Sequence, residues 1–108
     1  MQNTDVPLAT RARRLAEARR ADPHLSAATL AAALGVDRST LFRTLRAEGN
    51  SPSTLIREVR MSHARCLLAD GLPVGHVAYA VGYEDASAFA RAFRRAHGSS
   101  PSGWADGS

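Results

Sequence analysis

The chain has 108 residues, 44% apolar and 22% charged, which is typical of one globular domain. No apolar run is long enough to span a bilayer, the first residues lack a signal-peptide pattern, and a single cysteine excludes an internal disulfide or a cysteine-rich zinc site. The net charge of +4 rests on fourteen arginines and no lysine, which favours a polyanionic partner, although a GC-rich genome also favours arginine codons.

Alanine-rich segments separated by short breaks of Gly, Pro, Asp and Ser predict an all-α fold of about seven helices. Residues 105–108 are expected to fray. Ser26, Asp37 and Ser51 are suited to cap the helices that follow them. The predicted helices, in chain order, are 8–21, 27–35, 38–49, 52–70, 74–81, 86–98 and a short last helix from Pro101.

The sequence from residue 30 to 45, LAAALGVDRSTLFRTL, has the spacing of a helix-turn-helix unit. Ala31 lies four residues before Gly35, so that two helices can approach closely, and Leu41 lies six residues after the glycine, where it anchors the second helix. Taken alone, this spacing also fits an ordinary tight corner between two helices.

A second stretch, VAYAVGYEDASAFARAF from residue 77 to 93, repeats this arrangement with one extra residue in the turn. Ala78 lies four residues before Gly82, and Phe89 lies seven residues after it. The repeat continues beyond the turn, since DRSTLFRTLR matches DASAFARAFR and GNSP matches GSSP. Two such units in one chain favour two helix-turn-helix units over two chance corners.

The second helix of each unit has matching inner and outer faces when about 100° is assigned to each residue. The inward residues are Leu41, Thr44 and Leu45 in the first unit and Phe89, Phe93 and Ala96 in the second. The outward residues are Ser39, Arg43 and Arg46 in the first unit and Ser87, Arg91 and Arg94 in the second. Such a face is what a recognition helix presents to a major groove, and it also fits a merely solvated surface.

The chain resembles the DNA-binding domain of the AraC/XylS family over residues 8–104. The resemblance is carried by the two units, by a long central helix with Arg60, Ala64 and Leu67-Leu68, and by the motifs VGYED, FARAFRR and GSSP. It implies two helix-turn-helix units joined by the central helix, which bind two adjacent major-groove segments of promoter DNA. With a helix-turn-helix unit packed at each end of that helix, the recognition helices are expected roughly 34 Å apart.

By position, the resemblance implies that Ser39, Phe42 and Arg43 read bases in the first unit. In the second unit the matching residues are Ala86, Ser87, Ala88, Ala90 and Arg91. Phe42 either contacts thymine methyl groups or covers the edge of the core. Where the family usually has Tyr-Arg near the end, this chain has Gly103-Trp104. The full set of predicted DNA-binding residues is Arg38, Ser39, Thr40, Phe42, Arg43, Arg46, Ala86, Ser87, Ala90, Arg91 and Arg94.

The predicted protein is a monomeric, cytoplasmic transcription regulator that binds double-stranded promoter DNA, with RNA polymerase as a second candidate partner and without membrane contact, enzyme activity, cofactor or metal. Two alternatives remain, the DNA-binding half of a longer ligand-sensing regulator and a protein-binding helical module that contacts RNA polymerase. The four histidines are not spaced as metal ligands, and Cys66 is interpreted as a small core residue rather than a redox sensor. The predicted domain covers 8–105, with units at about 26–48 and 74–97 and a linker helix at about 52–70.

Overall fold

The structure is a computed structural model that describes residues 6–107. The environment of side chains is described for residues 6–104. The described residues form seven helices and no strand, which confirms the predicted all-α fold. None of these helices is long and apolar enough to cross a membrane. The helices are α1 (Leu8–Ala18), α2 (Ala27–Leu34), α3 (Arg38–Arg46), α4 (Pro52–Ala69), α5 (Val74–Ala80), α6 (Ala86–His97) and α7 (Pro101–Gly107).

The chain forms two compact units. Among the described residues, the first unit comprises 6–19 and 24–59, and the second comprises 20–23 and 60–107. The long helix α4 contributes its first part, up to Val59, to the first unit and its remainder, from Arg60, to the second. Each unit has a hydrophobic core of its own.

The core of the first unit is aliphatic. Ala12 and Ala16 of α1 are fully buried, and their small side chains let α1 pack closely on its neighbours. The other buried apolar residues of this core, from α2 to the first part of α4, are Leu25, Leu30, Ala31, Leu41, Leu45, Leu55, Ile56 and Val59.

The core of the second unit is built around aromatic rings. Phe89 and Phe93 are fully buried on α6, with ring centroids 5.8 Å apart. Tyr83 packs on Phe89 at 5.7 Å, and Trp104 of α7 packs edge-on against Phe93 at 6.0 Å. The aliphatic residues buried with them are Met61, Ala64, Leu68, Val77, Ala78 and Val81.

Local capping explains where several helices begin. Ser26 forms a capping box with Thr29, in which the Thr29 backbone N–H donates to the Ser26 hydroxyl and the Ser26 N–H donates to the Thr29 hydroxyl. The Ser51 hydroxyl accepts the Thr54 backbone N–H at 3.2 Å, just before Pro52 opens α4. The expected caps at Ser26 and Ser51 are therefore present.

Helix α1 is three residues shorter than predicted, since it ends at Ala18 instead of Ala21. Residues 20–23 belong to the second unit, where the side chain of Arg60 holds them. Its guanidinium donates to the backbone carbonyls of Arg20 at 3.3 Å and Asp22 at 2.7 Å. These long-range donors satisfy carbonyls that an ordinary helix end would leave to water, so the chain can leave the helix early.

Two side chains that were expected in the core are exposed. Cys66 is exposed because Ala64 and Leu68 define the buried face of this part of α4, and a residue two positions from each lies on the opposite side. Ala96 is exposed because His97 takes the inner position in the last turn of α6, where its ring meets Phe93 at 4.4 Å.

Helix α7 extends through Gly107 and so includes residues 105–107, which were expected to fray. The Ser100 hydroxyl accepts the backbone N–H of Gly103 at 3.0 Å at the start of this helix. The packing of Trp104 on the aromatic core then fixes α7 to the second unit. Ser108 lies outside the described residues.

Candidate nucleic-acid interface

A tight left-handed turn at Gly35 joins α2 to α3. Gly35 has a φ of 74°, and its N–H donates to the carbonyl of Ala32 while the N–H of Val36 donates to that of Ala31, both at 3.1 Å. This pair of bonds is a Schellman cap, which satisfies the last carbonyls of α2. Ala31 and Leu41 are buried on the two helices, so the glycine, the small residue and the anchor have the roles that the spacing predicted.

The turn at Gly82 between α5 and α6 uses the same bonds. The N–H of Gly82 donates to the carbonyl of Tyr79 at 3.1 Å, and that of Tyr83 donates to Ala78 at 3.0 Å. Gly82 has a φ of 89°, and a Cβ atom added there would lie 2.5 Å from the carbonyl oxygen of Arg20. This glycine is therefore needed both for its backbone conformation and for the close approach of the 20–23 segment.

The outer face of α3 carries most of the side chains that were predicted to bind DNA. Arg38, Ser39, Arg43 and Arg46 are exposed, and Thr40 is half-buried. These side chains share one helix with the buried Leu41 and Leu45, so the predicted division into inner and outer faces is observed.

Phe42 also lies on this outer face, and it is 43% exposed. The neighbouring Leu41 is fully buried, which shows where the core face of α3 ends. The exposure favours the interpretation that Phe42 is available to a partner over the alternative that it covers the edge of the core.

The outer face of α6 repeats this pattern with shorter side chains. Ala86, Ser87, Arg91 and Arg94 are exposed, whereas Ala90 is half-buried, as is Ala88. The structure thus brings the second set of predicted residues to one face, but its alanines offer no side-chain hydrogen bonds. The polar side chains on this face are one serine and arginines.

Carboxylates at the start of α3 and α6 are bonded to the helix backbone. Asp37 accepts the Thr40 N–H at 2.7 Å, and Asp85 accepts the Ser87 N–H at 2.8 Å. The bond from the Thr40 backbone, with smaller contributions from the Thr40 side chain and the charge of Arg43, holds the pKa of Asp37 below its usual value. Within the described residues, no carboxylate forms an ion pair with the outward arginines of either helix. Their donors are thus available to an anionic partner.

Arg95 is exposed on α6 and was missed by the sequence reasoning. It lies four residues after Arg91, and residues at this spacing share a face of a helix. Its i, i+4 spacing from Arg91 was sufficient to predict that Arg95 belongs to the outer face of α6.

The described residues contain no group of three His, Cys, Asp or Glu side chains that could hold a metal ion.

Comparison with known proteins agrees with this geometry. The family profile described as "Helix-turn-helix domain" matches residues 30–107. The chain belongs to the AraC-type helix-turn-helix family. This family consists of DNA-binding transcription regulators, and its domain is the all-helical, double helix-turn-helix fold described above.

The AraC-type domain is 34% identical over 93 residues to the transcriptional activator NphR of a Rhodococcus species. The match covers 85% of this chain but only 28% of NphR, so the chain spans less than a third of its relative's length.

Two solved structures are close in fold. The C-terminal domain of the response regulator AraT from Geobacillus stearothermophilus has a TM-score of 0.89 at 31% identity and covers 94% of this chain and 86% of its own. The DNA-binding domain of AdpA, a global transcriptional factor solved in complex with a target DNA, has a TM-score of 0.84 at 29% identity, with 94% of this chain and 91% of that chain covered.

Proposed function

We propose that this AraC-type domain regulates transcription by placing α3 and α6 in successive major-groove segments of promoter DNA. The observation that carries the proposal is the repeated outer face, in which the second helix of each helix-turn-helix unit presents a serine followed by two arginines. The family's DNA-binding function and the AdpA complex with a target DNA support double-stranded DNA as the partner.

In this proposal, Arg43 and Arg91 are the main base-reading residues. A guanidinium presents two parallel N–H donors, and guanine offers the acceptors O6 and N7 in the major groove. Both arginines are exposed near the middle of their helices, with Ser39 and Ser87 one turn earlier on the same face. Each unit would therefore read a half-site that contains guanine.

The remaining outward residues have supporting roles. Arg46 and Arg94 lie one turn further along, where they would reach phosphates or a second base, and Arg38 and Thr40 lie near the N-terminus of α3. The exposed alanine at position 86 can touch only an apolar group such as a thymine methyl. The first unit is therefore proposed to be the stricter reader.

The proposed domain is a cytoplasmic protein that acts without catalysis. It is also proposed to act as a monomer, because one chain already carries both reading helices. It would serve equally as the DNA-binding part of a longer ligand-sensing regulator, on the scale of NphR. Contact with RNA polymerase is a second candidate activity, favoured by the alanine-rich outer face of α6, which offers few polar groups to bases.

A mobility-shift titration of promoter fragments against random duplexes tests the proposal. We expect tighter binding to a subset of promoters, and a loss of affinity of about 10³–10⁵-fold between roughly 50 and 200 mM salt if 6–10 phosphates are contacted. Equal binding to every duplex with a flat response to salt would contradict DNA as the partner.

Sedimentation of the free protein at micromolar concentration tests the proposed monomeric state. A stable dimer would contradict it.

A further inference from the structure

Phe42 is an apolar side chain on an otherwise polar face of α3. Three large hydrophobic side chains are exposed among the described residues, and Phe42 is the one on a proposed reading helix, the others being Leu72 and Tyr79. Packing in the core does not explain its position, because Leu41 and Leu45 supply the buried face of the helix.

The neighbours of Phe42 place its ring within the proposed contact surface. Successive residues are about 100° apart around a helix, so Phe42 lies between Arg38 and Arg46, each one turn away, and next to Ser39. All three neighbours are exposed. If the arginines face the DNA, the phenyl ring faces it too.

A phenyl ring has no hydrogen-bond donor or acceptor, so it can distinguish bases only by apolar contact. In the major groove, the apolar feature of a base edge is the methyl group at C5 of thymine, and 5-methylcytosine carries the same group. The matching residue of α6 is Ala90, which is half-buried and too short to make an equivalent contact. The two units therefore differ in their ability to detect this methyl group.

We infer that Phe42 is a specificity-determining residue that reads the 5-methyl group of a pyrimidine in the half-site bound by α3. This inference rests on the proposed function and adds a chemical class to the readout of the first unit. It also makes binding at that half-site sensitive to cytosine methylation wherever cytosine occupies the contacted position.

The test begins with selection of bound duplexes from a random pool by the whole chain. Each thymine of the selected site is then replaced singly by uracil, and each cytosine by 5-methylcytosine, so that only the methyl group changes. The wild-type protein, Phe42→Ala and the control Tyr79→Ala are titrated on every duplex. The control removes an aromatic ring that is 77% exposed and lies on α5, outside the proposed contact surface.

At one pyrimidine of the first half-site, we expect the methyl group to strengthen wild-type and Tyr79→Ala binding by about fourfold, the effect of one methyl group in an apolar contact. Phe42→Ala should bind the methylated and unmethylated duplexes equally at that position. An effect seen on replacing thymine by uracil identifies thymine as the source, and one seen on methylating cytosine identifies 5-methylcytosine.

Two results would overturn the inference. A selected site at which no methyl group changes wild-type affinity would do so while leaving DNA reading intact, as would a methyl effect that persists in Phe42→Ala. Circular dichroism and thermal unfolding of Phe42→Ala verify that the helix is retained, as expected for an exposed position. Failure to enrich any sequence would instead contradict the proposed function itself.

Discussion

Arg43 and Arg91 are the two residues on which the proposed base readout depends most. Both are exposed and free of ion pairs with carboxylates of the described chain, so their guanidinium groups can bind a base edge without breaking an ion pair. Arg57 on α4 is a suitable control, because it is half-buried and its Nη2 donates to the Thr54 hydroxyl at 3.4 Å.

Arg43→Ala and Arg91→Ala are each expected to weaken binding to the selected site by about 1–3 kcal/mol, the scale of one good base contact. Arg57→Ala should cost less, and the losses of Arg43→Ala and Arg91→Ala should be smaller on random DNA. Titration of each variant against selected and random duplexes measures these differences. Equal losses on both kinds of DNA would mean that Arg43 and Arg91 contact phosphate only.

At the scale of elements, the two helix-turn-helix turns look alike in sequence but differ in what surrounds their glycines. Both Gly35 and Gly82 have a positive φ, a backbone conformation that residues other than glycine rarely adopt. A Cβ atom at Gly35 would meet nothing within 4 Å, whereas one at Gly82 would meet the Arg20 carbonyl and the Arg60 guanidinium. The second turn is therefore the less tolerant of substitution.

Gly82→Ala is expected to lower the free energy of unfolding by about 3 kcal/mol or more, because it adds a clash with backbone to the conformational strain. Gly35→Ala, the matched control, should cost about 1–2 kcal/mol from strain alone. Urea unfolding of both variants compares them. Equal destabilisation would contradict the close approach of the 20–23 segment to the turn.

The sequence predicts those elements that depend on neighbouring residues and misses those that depend on distant ones. Helix starts at Ser26 and Ser51 and both glycine turns were predictable, because each depends on residues within about five positions. The early end of α1 was not, because it depends on a bond between Arg60 and backbone about forty positions away. The burial of His97 in place of Ala96 was missed for the same reason, since the aromatic core selects the inner face of the last turn.

At the scale of the whole molecule, acidification is expected to weaken the fold. Burial lowers the pKa of His97 and of His63 below the usual value of 6.5, and the positive charges of Arg65 and Arg20, respectively, lower them further. The Nε2 atom of His97 is shielded from solvent and has no hydrogen-bond partner among the described residues. Protonation of either ring is therefore less favourable in the folded chain than in the unfolded one.

Because the unfolded chain binds these protons more readily, the free energy of unfolding should be largest above about pH 6.5 and fall as the pH drops below that value. Urea unfolding at about pH 7.5 and pH 5.5 measures the change, and the double variant His63→Gln, His97→Gln should show a smaller pH dependence. A wild-type protein that is more stable at about pH 5.5 than at about pH 7.5 would contradict the assignment.

The internal repeat predicts that two matched helices read two related half-sites. Ser39, Arg43 and Arg46 occupy the same helical positions as Ser87, Arg91 and Arg94, which predicts related half-sites in the same orientation. The first helix adds Arg38, Thr40 and Phe42 where the second has alanines at 86, 88 and 90, so the first half-site should be the stricter.

Selection of bound duplexes from a random pool, followed by measurement of the information content at each position, tests whether the two half-sites are related in this way. We predict two guanine-containing half-sites in direct repeat, about 10–10.5 bp between centres, with more information in the half-site bound by α3. A single palindromic site, or one half-site with no second element a helical turn away, would contradict it.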